Sequence, residues 1–222
     1  MDKKFITVKG TGTVSAKPDL IVVTMNLETK RPEYEATLEC AAHELDSLRS
    51  AITSVGHEAE TLITKSFSIT TEYENYQKDG AWTSRFVGYR CVHSLQLEFE
   101  YDLQMLNKTI SAITTSKASP HFEIAFSVKD KESLKKQLLE NAVKDSTEKA
   151  GILARSAHVK LGAIARIDYS WDEIRFSSDS RVSFNEESSE SIRALGAPLE
   201  IEPDNVRQSD SVSIVWEIET SE

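Results

Sequence analysis

Two extended runs open the chain. Phe5 to Val14 carries β-branched residues at Ile6, Thr7, Val8, Thr11, Thr13 and Val14, and Leu20 to Leu27 reads LIVVTMNL. Such density favours strands. Between them, Lys17-Pro18-Asp19 has turn chemistry: proline presets φ, and aspartate bonds nearby backbone. The two runs are expected to pair as a hairpin.

The period then changes. From Arg31 to Val55 the apolar positions are Leu38, Ala41, Leu45, Leu48, Ile52 and Val55. Steps of three and four lay one stripe along a helix. Pro32 suits the first turn, Glu33 and Glu35 suit the positive end of the dipole, and Gly56 is a natural stop. Leu62 to Tyr73 and Arg85 to Glu100 predict strands on either side of a polar loop, ENYQKDGAW. In the second strand Val87, Tyr89, Cys91, His93, Leu95, Leu97 and Phe99 fall on one face.

Asp102 is placed to cap a helix bearing Leu103, Leu106, Ile110 and Ile113. Phe122, Ile124, Phe126 and Val128 alternate as a strand. A long helix is expected from about Lys131 to about His158, with its stripe interrupted by Ser146. Its stripe runs through Leu134, Leu138, Ala142, Ala150, Leu153 and Ala157. Ala163 to Trp171 and Val212 to Ile218 are extended. Residues 172–210 are acidic, Ser-rich and without period, which predicts an insertion that is either mobile or ordered by a partner chain. The order is β-β-α-β-β-α-β-α-β-loop-β. Consecutive strands imply a largely antiparallel sheet with helices packed on it, an α+β class, in a single domain over 1–222.

Composition narrows the partners. The 222 residues are 39% hydrophobic and 28% charged, with a net charge of -10. An acidic balance argues against non-specific nucleic-acid binding and against docking on anionic lipid. No apolar run approaches the roughly 20 residues of a membrane span. The start lacks a signal-peptide pattern, so a cytoplasmic location is expected. Cys40 and Cys91 are expected to be reduced thiols.

The candidate chemistry is thin. Gly10 and Gly12 form G-x-G, but Ser15 replaces the third glycine of a dinucleotide loop, and Pro18-Asp19 leads into a strand rather than a helix. Glycines serving a strand explain them better. His43-Glu44 and His57-Glu58 each lack the second histidine of a zinc motif. Cys91 and His93 share a strand face, but successive same-face residues stand nearly 7 Å apart and sit in an apolar row. Core packing is the stronger reading there, so no catalytic residue, metal or cofactor is assigned. Tyr73, Tyr76, Trp82, Phe86 and Tyr89 cluster around the predicted loop; a hairpin end packing on itself explains them most simply, and they are otherwise the candidates for a ligand groove or an oligomer contact.

Taken in order, several short motifs resemble the SIMPL-domain (DUF541) family. They begin with Val8-Lys9-Gly10-Thr11-Gly12 and Pro18-Asp19. They continue through Gly56, Thr64, Gly88-Tyr89 and Phe122 to Phe126, then Ala142 to Asp145, Lys149-Ala150, Leu153-Ala154 and Leu161-Gly162, and end with Val212 to Ile218. The resemblance spans nearly the whole chain. It implies the α+β architecture above, and it implies homo-oligomerisation. Members include a periplasmic immunogen and a stress-related protein. It carries no agreed catalytic residues and does not imply an enzyme, and with no catalytic constellation in the sequence a non-enzymatic role is expected.

Overall fold

The computed structural model describes residues 3–78, 80–118, 120–169, 174–184 and 200–220. Among them run β1 (Lys4–Ala16), β2 (Leu20–Arg31), α1 (Tyr34–Ser54), β3 (Leu62–Lys78), β4 (Ala81–Glu100), α2 (Leu103–Thr115), β5 (His121–Ser127), α3 (Lys131–Ser156), β6 (Val159–Asp168), β7 (Ser177–Phe184) and β8 (Val206–Thr220). This is the α+β class expected, with helices packed on antiparallel strands. The strands form two sheets, ordered β1-β8-β6 and β3-β4-β2-β5-β7. The chain divides into two compact units. One is Met1–Pro18, Ser127–Asp179 and Asp204–Glu222; the other is Asp19–Phe126 and Ser180–Pro203.

The expected opening hairpin does not form. β1 pairs with β8 from Lys4↔Ile218 to Ala16↔Val206, and β2 pairs with β4. The inner faces of the two strands differ in kind. β1 buries Val8, Gly10 and Gly12, a face that admits a closely approaching helix backbone. β2 buries Ile21, Val23, Met25 and Leu27, which need a thick apolar partner. Pro18 and Asp19 link the two units instead of turning a hairpin.

In the first unit, α3 lies on β1 and β8. A Cβ on Gly10 would overlap the Ala142 carbonyl oxygen, and one on Gly12 the Leu138 carbonyl oxygen. Gly10 and Gly12 are therefore strand glycines, as expected, and the close approach is of a helix. The helix also satisfies the backbone of β1. Asp145 accepts from the Thr11 N–H at 2.7 Å, Asn141 donates to the Thr13 carbonyl at 3.0 Å, and Ser146 donates to the Val8 carbonyl at 3.0 Å. Ser146, expected as a gap in the apolar stripe, is fully buried; Leu153, expected in the stripe, is half exposed. The buried row steps by four throughout: Leu138, Ala142, Ser146, Ala150, Ala154. Small residues along it keep the helix near the glycines.

In the second unit, α1 and α2 cover the apolar face of the larger sheet. Leu48 and Ile52 of α1, with Leu106, Ile110 and Ile113 of α2, pack on Leu95, Leu97, Ile124 and Phe126. Asp102 caps α2 as expected, accepting from the Gln104 and Met105 N–H groups. The α1 helix starts after Glu33, so Pro32 precedes it rather than sitting in its first turn. Inside the expected insertion, β7 is a strand that buries Ser178 and Phe184, and β8 begins at Val206. Residues 172–173 and 185–199 of that insertion lie outside the described residues.

Candidate functional site

The polar loop predicted between β3 and β4 is instead more strand. The two strands stay paired as far as Lys78↔Ala81. β2 accompanies β4 only to Arg31↔Tyr89. Beyond that rung, β3 and β4 continue as a two-stranded ribbon with no third strand beside it among the described residues. The eight residues 81–88 of β4 extend it by about 26 Å, at roughly 3.3 Å per residue. Gly88 marks its base. Its φ is 144°, and a Cβ there would overlap the Arg31 carbonyl oxygen, so the position requires glycine.

A bulge beside Gly88 decides which side chains share a face. Glu72 pairs with Gly88, but Tyr73 pairs with Phe86, which leaves Val87 without an opposite number. Strict alternation had placed Val87 on the face of Tyr89; the bulge gives that place to Phe86. The ring of Phe86 meets Tyr89 at 5.3 Å and Tyr73 at 5.8 Å, both edge to face. Tyr89 continues the contact to Tyr34, at the start of α1, at 5.5 Å. Tyr34 has no place in the helical stripe and was not foreseen.

The structure thus joins Tyr73, Phe86 and Tyr89 in one aromatic row. It does not join the other two candidates to it. Trp82 lies opposite Gln77 near the tip, on the face of Phe86, and is 75% exposed. Tyr76 lies on the opposite face, where the Arg85 guanidinium sits 5.4 Å from its ring centre. Arg85 also donates to Glu74 at 2.7 Å. The same outer side carries Lys30 bridging Glu28 and Glu72, and Arg90 on Glu28 at 2.7 Å. Hydrogen bonding from Arg90 chiefly holds the Glu28 carboxyl below its usual range. The ribbon therefore has a salt-bridged face and an aromatic face.

The thiol candidates sit deeper. Cys91 is buried, and burial, with the Glu44 carboxylate second, pushes its thiol up. His93 is buried beside it on the same strand face, and its Nε2 lies 2.9 Å from the Thr64 hydroxyl. Burial, helped by Arg49, pushes the His93 imidazole down. This is core packing around a neutral thiol and a neutral imidazole. His57 is likewise buried, with Nε2 2.7 Å from the Thr109 hydroxyl, while His43 is exposed. Among the described residues, no three His, Cys, Asp or Glu side chains gather in a way that could hold a metal ion. No described helix is long and apolar enough to cross a membrane.

No curated protein matches the chain. Residues 6–216 match the family model of SIMPL, a protein of unknown function (DUF541). That match takes in most of β1, the close-packed α3, the aromatic ribbon and the larger part of β8. The chain belongs to the SIMPL family.

Proposed function

We propose that this SIMPL chain is a non-enzymatic protein that works by associating with further copies of itself, in a stress-related role, with the β3–β4 ribbon as its contact element. The observation that carries the reading is the exposure of Trp82, Tyr73 and Phe86, at 75%, 59% and 46%, on a ribbon that no described residue covers. A two-stranded hairpin is marginal in water by itself, and clustered exposed apolar groups mark interaction surfaces. The non-enzymatic part is supported by Cys91, whose buried, upshifted thiol supplies little thiolate at neutral pH. Size-exclusion chromatography with light scattering across the micromolar range tests the association. A chain that stays monomeric throughout ends this reading.

A second reading is a module for a flat apolar or aromatic ligand. The edge-to-face row Tyr34–Tyr89–Phe86–Tyr73 favours it, since a planar molecule can lie along such rings. Thermal-shift screening with aromatic compounds separates the two. A stabilising hit that Trp82→Ala or Phe86→Ala removes would move the assignment to this reading.

A further inference from the structure

Resting on the self-association reading, we propose that copies meet ribbon to ribbon: the uncharged aromatic face of β3–β4 packs on the same face of a second copy about a two-fold axis.

The sidedness of the ribbon leads there. Opposed residues share a face, so the register Tyr73↔Phe86, Asn75↔Ser84 and Gln77↔Trp82 puts these six side chains together. None of them is charged, in a chain that is 28% charged. The other face holds Glu74, Arg85 and Tyr76 in their own ion pair and cation–π contact. Charge has been kept to one side of a ribbon that is exposed on both.

Charge also chooses the occupant. Each copy carries a net charge of -10, so two copies repel over most of their surface. They approach best through a face where no charge is desolvated or set against its like. A basic partner would find no acid on this face, and an anion would find no base. The polar groups that are present suit self-pairing. Asn75 and Gln77 each both donate and accept, as does Ser84. A patch that meets its own copy needs that self-complementarity.

The size suits a weak pairing. Tyr73, Trp82 and Phe86 stand 59%, 75% and 46% exposed. At roughly 150–250 Å² per aromatic side chain, they offer roughly 350 Å² of apolar surface. Asn75, Gln77 and Ser84 lie among the rings, and together they make a face at the low end of the interface range, below the roughly 800 Å² per partner of a standard one.

The test puts a charge on each face in turn and follows the full chain by sedimentation velocity from low to high micromolar. Asn75→Glu sets like charges together at the middle rung and is expected to weaken association by at least about tenfold. Thr83→Glu, on the other face, is expected to associate as the wild type does. In a Cys40→Ser background, Asn75→Cys with a short bis-maleimide is expected to give a covalent dimer, and Thr83→Cys none. Unchanged thermal unfolding of each variant confirms that the fold is kept. An oligomer that Asn75→Glu leaves intact overturns ribbon pairing and spares self-association. A wild type that is monomeric throughout overturns both. A monomer whose Trp82 emission shifts on adding an aromatic ligand overturns both as well, and gives the face to that ligand.

Discussion

Gly12 of β1 faces Leu138 of α3 so closely that a methyl group on the glycine would overlap the Leu138 carbonyl oxygen. The obstacle is backbone, so no rotamer change relieves it. α3 must move off the sheet, taking with it the contacts of Ala142 and Ala150 with Val8, Ile214 and Trp216. Gly12→Ala is expected to cost at least about 3 kcal/mol, beyond ordinary overpacking. Urea unfolding of the purified variant checks this. A loss under 1 kcal/mol would mean that the helix yields easily and that the glycine is not there for close approach.

Asp145 ties the same helix to the strand through charge. Its carboxylate accepts from Lys149 and from the Thr11 N–H, each at 2.7 Å. The Lys149 bond first, and the Thr11 bond second, hold its pKa below the ordinary value of 3.8. A depressed folded-state value means the unfolded chain binds the proton more readily, so the contribution is present above 3.8 and is lost as pH falls through the folded value. Asp145→Ala is expected to lower the denaturation midpoint at pH 7, with the gap to wild type closing in acid. Asp145→Asn keeps an acceptor for Thr11 and should fall between. Equal gaps at pH 7 and in acid would refute the linkage.

Much of this was legible from periodicity, and the misses share a cause. The α1, α2 and α3 stripes and the alternation of β4 are local patterns, set by which face is buried. Pairing is not local. Pro18-Asp19 makes the same chemical sense as a turn or as a link, and the true partner of β1 lies at the other end of the chain. Ser146 read as a gap because a hydroxyl hides its worth until the Val8 carbonyl is placed against it. The ribbon read as a loop because Glu74, Asn75, Gln77 and Lys78 put polar residues on both alternating faces, though Asp79-Gly80 is a strong hairpin dipeptide. The aromatic cluster was visible as composition. Its division into two faces was not, since the bulge beside Gly88 shifts the alternation by one.

His57 makes the second unit sensitive to mild acid. The Thr109 hydroxyl donates to the Met105 carbonyl at 2.8 Å, so its oxygen receives the His57 Nε2 proton. Burial pushes the imidazole below its ordinary 6.5, and His93 is pushed down in the same direction. The unfolded chain then takes up protons that the folded one refuses. Stability is full above pH 6.5 and falls as pH drops through the folded values. His57→Gln keeps a donor for Thr109 and removes one titration. Its denaturation free energy should fall less steeply between pH 7 and 5, by at most one proton's worth of slope. An unchanged slope would show that His57 titrates normally in the fold.

Cys40 is the thiol that a single substitution should wake. Its sulfur accepts from the Arg31 guanidinium at 2.9 Å and donates to Glu44 at 3.6 Å. Burial is the first cause pushing the thiol up and the Glu44 carboxylate the second, while Arg31 pulls it down. Wild-type protein should therefore label slowly with a thiol reagent at neutral pH, since the thiolate is the reacting form. Glu44→Gln removes the opposing charge and leaves Arg31 in place. Labelling of Cys40 is expected to speed up several-fold at pH 7, with the gain shrinking at high pH as both proteins ionise. Cys91, buried under the same carboxylate, should stay slow because no solvent path opens to it. Mass spectrometry of the labelled peptides separates the two sites. Equal rates for wild type and Glu44→Gln would show that burial alone, and not the carboxylate, keeps Cys40 protonated.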